Sequence, residues 1–154
     1  MKDTKVDLYY GDNAATVFER AIENSGYEYT FSGTAKTGFY LERISRQGML
    51  RGWYIDDALR EEITEDGLQF LMDPDTGEYL YDKNSLGGLD FCQGSGWVYS
   101  VNKEYPEYGM SEYIPKNGDY IQLRYTLSYG KDIGAYSSFS GTYGIKEQYE
   151  NVYE

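Results

Sequence analysis

The sequence contains no histidine, and that absence excludes more chemistry than any motif in it suggests. Without an imidazole there is no Ser-His-Asp triad, no Cys-His pair and no histidine-based zinc site. Cysteine is nearly missing as well. Cys92 is the single one, so no internal disulfide is possible. It stands in Leu89-Asp90-Phe91-Cys92, an apolar neighbourhood in which a thiol reads as a small core residue rather than a nucleophile. Positive charge is also scarce: 14 Lys and Arg against 26 Asp and Glu leave a net charge of −12. Such a balance repels phosphate backbones and anionic lipid, so no nucleic-acid partner is expected. No run approaches the ~18 apolar residues of a membrane span. Residues 1–5 carry no apolar stretch, so no signal peptide is expected within this chain.

What the chain has instead is aromatic surface. Aromatics make up 18% of its 154 residues, and nineteen of them are tyrosines. A phenol buries its ring while keeping its hydroxyl hydrogen-bonded, which suits half-exposed sheets and recognition surfaces. With 40% hydrophobic residues, a chain of this length has enough for one modest core.

Residues 5–10 alternate and turn at Gly11, which predicts a strand. Asp12 or Asn13 can cap the helix that follows, in which Ala14, Val17, Phe18, Ala21 and Ile22 fall on one face. Gly26 is its expected stop. Residues 27–31 and 39–44 read as strands, 53–55 as a short strand and 57–63 as a helical turn. Residues 69–72 and 78–81 flank Asp73-Pro74-Asp75-Thr76-Gly77 and read as a hairpin. After Gly87-Gly88 and Gly94-Ser95-Gly96, residues 97–101 resume a strand pattern. Residues 120–127 are the longest alternating segment, with Ile121, Leu123, Tyr125 and Leu127 on one face. The expectation is an α+β fold, β-grasp-like, with one amphipathic helix packed on a mostly antiparallel sheet. It forms a single domain over residues 1–136, carries a hairpin-containing insertion at 46–94, and ends in a polar tyrosine-containing tail at 137–154.

Three segments carry a family resemblance: Val6-Asp7-Leu8-Tyr9-Tyr10-Gly11 with the helix after it, Gly38-Phe39-Tyr40-Leu41-Glu42-Arg43-Ile44, and Gly96-Trp97-Val98-Tyr99-Ser100-Val101 leading on to Gly109-Met110-Ser111-Glu112-Tyr113-Ile114-Pro115. Together they resemble the transcobalamin C-terminal-like domain family, the β-domain of transcobalamin and intrinsic factor, which has bacterial surface-protein members. The resemblance covers about residues 5–45 and 95–134. The vertebrate relatives have one more strand before Val6 and only a short connection in place of 46–94.

In that family the domain caps one face of cobalamin, opposite a helical barrel. The resemblance implies corrin contacts at Tyr99 and Pro106, with Trp97 beside them. The residues themselves leave another reading open: Trp97 and Tyr99 share one face of a strand and equally suit a core beneath the helix. The companion helical domain of a cobalamin site is not within this chain. In the insertion, Trp53, Tyr54, Tyr79 and Tyr81 offer a stacking platform for a sugar or peptide. Asp73, Asp75 and Glu78 read as a hairpin turn rather than a calcium loop. Asp56, Asp57, Glu61, Glu62, Glu65 and Asp66 read as a solvated helix face rather than a glycosidase pair. No catalytic residue, metal site or resident cofactor is expected. The expected role is a non-enzymatic ligand-binding or adhesion module of a bacterial secreted or cell-surface protein, its ligand a small molecule, glycan or protein. The alternative is a corrinoid half-site acting with a separate helical domain.

Overall fold

The computed structural model describes residues 3–135, so the tail read at 137–154 lies outside the described residues. It is a mixed α+β fold with two helices and two small antiparallel sheets. Helix α1 spans Ala14–Ile22. Asn13 caps it by a reciprocal box: its Oδ1 accepts from the Thr16 N–H at 2.9 Å, and the Thr16 hydroxyl accepts from the Asn13 N–H at 2.9 Å. The Asn13 side-chain amide also donates to the Ala35 carbonyl at 2.7 Å, which fixes the helix start to the loop after β1. Ala14, Ala15, Phe18 and Ile22 are buried.

The first sheet has the order β1-β2-β3, with β1 at Glu28–Ser32, β2 at Tyr40–Ser45 and β3 at Ser85–Gly87. Thr30 pairs with Arg43 but Phe31 with Leu41, so Glu42 bulges out of the ladder. Its carbonyl accepts instead from the Gly88 N–H at 3.3 Å. The second sheet is β4, Gly96–Val101, against β5, Ile121–Thr126, in unbroken antiparallel register. Helix α2, Asp57–Glu65, starts at Asp56, whose carboxylate accepts from the Ala58 and Leu59 N–H groups. A 3-10 turn at Lys131–Ile133 closes the described chain.

There are two cores. One packs α1 against Phe39, Leu41 and Ile44 of the first sheet and Tyr99 and Val101 of the second. The other gathers Leu50, Ile63, Leu68, Leu86, Phe91, Cys92 and Leu127. Met49 and Trp97 pack against both. The apolar face of β5 crosses between them, Ile121 and Leu123 on the first and Tyr125 on the second, joined there by Leu127 just past the strand.

Several expectations need correction. Residues 5–10 form no strand: Leu8, Tyr9 and Tyr10 are all exposed, so the alternation buries no face and finds no ladder partner among the described residues. Residues 53–55 are irregular and lead into the α2 cap. The 69–81 hairpin keeps its turn, with the Asp73 N–H on the Glu78 carbonyl at 2.7 Å, but its ladder shrinks to a Met72–Tyr79 bridge. The expected single sheet is two, and β3 is a strand that the sequence pattern does not mark. No described helix is long and apolar enough to cross a membrane.

Candidate functional site

The residues expected at a site fall in two separate places. Trp97 and Tyr99 lie on β4, inside the molecule. The Tyr99 ring is 7% exposed within the α1 core, and its hydroxyl donates to the Tyr108 carbonyl at 2.7 Å. Trp97 is half-buried, donates from Nε1 to the Leu86 carbonyl at 2.8 Å and meets Tyr125 edge-on at 5.2 Å. Pro106, also half-buried, sits in the connection after β4 that Tyr99 ties down through Tyr108. These side chains have structural partners already.

The second place is in the insertion. Trp53 is 44% exposed and Tyr81 37% exposed, and both rest on Phe91, which is buried. Tyr81 stacks on it at 4.5 Å with 25° between planes, and Trp53 leans on it at 5.3 Å. Tyr79 meets the third side of the same ring edge-on at 5.8 Å, and Arg60 lies over Tyr79 and Phe70. Tyr54 is 81% exposed and stands next to this group without lining its concavity.

Phe91 is held in an unusual conformation. It and Leu89 have φ of 68° and 67°, the left-handed region that costs a side-chain-bearing residue on the order of 1 kcal/mol or more. The residue between them fixes the loop. The Asp90 carboxylate accepts two bonds from the Arg43 guanidinium, at 2.8 and 2.9 Å, and one from the Gly87 N–H at 2.9 Å. Arg43 also donates to the Ser85 hydroxyl, and Asp90 is what chiefly holds its charge firm against partial burial. Gly87 has no room for a side chain, since a Cβ there would stand 2.6 Å from the Glu42 carbonyl oxygen. The buried Tyr125 hydroxyl donates to the Gly87 carbonyl at 2.7 Å, and its burial pushes its pKa up. The Phe91 backbone is clamped on both sides, its N–H on Leu80 and its carbonyl on the Leu71 N–H. The hub ring is therefore held in place by its own loop.

Beside Trp53 and Tyr81 lies an open concavity of about 420 Å³ whose other walls include Gln47, Arg51, Lys83 and Asn84. Its floor is a series of turns over residues 46–53, anchored to residues 83–84. The Arg46 N–H donates to the Asn84 carbonyl at 2.8 Å, the Leu50 N–H to the Lys83 carbonyl at 3.0 Å, and the Gly48 N–H to the Asn84 Oδ1 at 2.8 Å. A second concavity, of about 450 Å³, shares Gln47 and Asn84 and continues to Arg46 and Gly26. Arg46 lies over the Tyr27 ring at 4.6 Å.

Three acidic residues of the insertion have local duties. Asp56 caps α2, Asp66 pairs with Lys131, and the Asp73 carboxylate accepts from the Asp75 and Thr76 N–H groups in a turn. Cys92 is fully buried, and burial pushes its thiol pKa up, away from nucleophilic character.

Of the four aromatics that the sequence groups, Trp53, Tyr54, Tyr79 and Tyr81, the structure gathers three on Phe91 and leaves Tyr54 beside them. The hub Phe91, the Arg43–Asp90 pair and the polar wall of Gln47, Arg51, Lys83 and Asn84 were not legible from the sequence. No linear pattern joins Arg43 to Asp90, and Phe91 is one apolar residue among several.

A family model described as a domain of unknown function (DUF4430) matches residues 68–126. The matched stretch opens inside the segment read as an insertion, includes Phe91 and Trp97, and closes at the end of β5. No significant match to a curated protein or to a solved structure was found.

Proposed function

We propose that this chain is a non-enzymatic binding or adhesion module of a bacterial secreted or cell-surface protein. Its scaffold is a β-grasp-like domain similar to the transcobalamin C-terminal family, and its recognition site is the Trp53–Tyr81 concavity. The observation that carries the reading is the aromatic pair held half-exposed on a locked, buried Phe91 beside an open polar wall. Exposed rings with few torsions, already fixed in place, supply contact area at small entropic cost. The absence of histidine supports a role without catalysis, as do the capping, ion-pair and turn duties of Asp56, Asp66 and Asp73. The corrinoid half-site gains nothing from Tyr99, whose ring and hydroxyl have partners within the fold.

The full chain, fluorescently labelled, should bind at least one member of a panel containing immobilised glycans, extracellular-matrix proteins and cobalamin. The same signal should vanish in the double variant Trp53→Ala/Tyr81→Ala. A wild-type chain that binds nothing on the panel, or a double variant that binds undiminished, would sink the reading.

A further inference from the structure

The groove's charge runs against that of the whole molecule. The chain carries −12, yet the aromatic concavity is walled by Arg51 and Lys83 with no acidic residue in its lining, and its continuation adds Arg46 against a single acid, Glu28. Among the described residues, neither Arg51 nor Lys83 forms an ion pair with a carboxylate. The hydrogen-bonding character is equally one-sided. The Asn84 Oδ1 already accepts from the Gly48 N–H, which leaves its amide nitrogen as the end available to a ligand. Two guanidinium groups, an ammonium and an amide N–H make the groove rich in donors.

We propose that this groove binds an anionic oligosaccharide, one ring stacking on Trp53 and Tyr81 and its carboxylate or sulfate groups meeting Arg51 and Lys83. A pyranose ring presents an apolar C–H face that stacks on indole and phenol, while its substituents are mostly acceptors, more so when charged. The second concavity, sharing Gln47 and Asn84 with the first, gives the next sugar a path toward Arg46. A site of this kind needs an anion to enter against the repulsion of the remaining surface. Selectivity for small anionic glycans over long polyanions such as nucleic acid follows, because the groove's cations stand in a molecule of net charge −12. This inference rests on the binding-module reading and specifies its ligand.

The test titrates the full chain with an oligogalacturonate tetramer, a heparin tetrasaccharide, a neutral cellotetraose and a single-stranded DNA oligomer, read by calorimetry and tryptophan fluorescence. At least one anionic glycan should bind about tenfold or more tighter than cellotetraose, and the binding should weaken as salt rises. Arg51→Gln/Lys83→Gln should abolish that preference, and Trp53→Ala should abolish binding. Lys5→Gln/Lys36→Gln, which removes the same charge from exposed sites outside the groove, should change little. Circular dichroism of each variant separates lost binding from lost folding. Equal affinity for cellotetraose, still dependent on Trp53, would overturn the anionic inference and leave the binding site standing. No saccharide binding up to about 1 mM would overturn this inference, while the wider panel decides the module reading on its own. DNA binding as tight as glycan binding would also overturn it, by reducing the groove to a general polyanion patch.

Discussion

At the scale of single residues, Asp90 has the most consequential position. It satisfies Arg43 and the Gly87 N–H while separating two left-handed residues. Asp90→Ala leaves the half-buried guanidinium with only the Ser85 hydroxyl as acceptor, and leaves the buried Gly87 N–H without one. The guanidinium side chain is 33% exposed, so water recovers part of the loss. The expected destabilisation is about 2–3 kcal/mol, measured by urea unfolding. A change under about 0.5 kcal/mol would mean that the loop is held by its backbone bonds alone. Asp12 makes a different, pH-dependent contribution. Two hydrogen bonds from Arg20 and one from the Tyr9 N–H hold its carboxyl well below the ordinary value of 3.8. A lowered folded pKa stabilises the fold above that ordinary value, and the stabilisation is lost as pH falls below it. The gap in melting temperature between wild type and Asp12→Asn should therefore be open at about pH 6 and narrow by about pH 2.5. A gap that stays constant between those pH values would refute the assignment.

At the scale of elements, α1 is where local sequence and tertiary structure agree. Its buried face follows from the spacing of Ala14, Phe18 and Ile22, and its start from Asn13. Asn13→Ala should cost about 1–2 kcal/mol, through the lost cap and the lost bond to the Ala35 carbonyl. Asn13→Asp keeps the acceptor for the Thr16 N–H and loses the donor to the Ala35 carbonyl, so its denaturation midpoint should fall between those of wild type and Asn13→Ala. If both variants lose equally, the cap contributes nothing. The strands show how far local pattern reaches. β2, β4 and β5 were legible because each has an alternating or aromatic run that packs a face on a core, while β1, mostly exposed, is held by its ladder with β2 and by Tyr29. Residues 5–10 have the same alternation without a partner to bury it against. β3 is three residues ending in glycine, and it is a strand only because Arg43, Ile44 and Ser45 lie opposite it. The candidate site divides the same way. Exposed aromatics stand out in a sequence, but the polar wall formed when 46–53 closes on 83–84 depends on a long-range contact.

At the scale of the whole molecule, two cores share Met49 and Trp97. Trp97 is also hydrogen-bonded to β3, so it joins the two sheets as well as the two cores. The intact chain should unfold in one transition, with far-ultraviolet circular dichroism and tyrosine fluorescence coinciding. Trp97→Ala should lower stability by about 2–4 kcal/mol and separate the two signals. Coincident curves in the variant would show that the cores are coupled by other means. The anchoring of Phe91 has a consequence for how such a module diversifies. The costly geometry sits in buried Phe91 and the Arg43–Asp90 pair, while Trp53 and Tyr81 rest against it from outside. Those two outer positions are exchangeable tips on a fixed handle: substitution there changes the surface the domain presents without refolding what lies beneath.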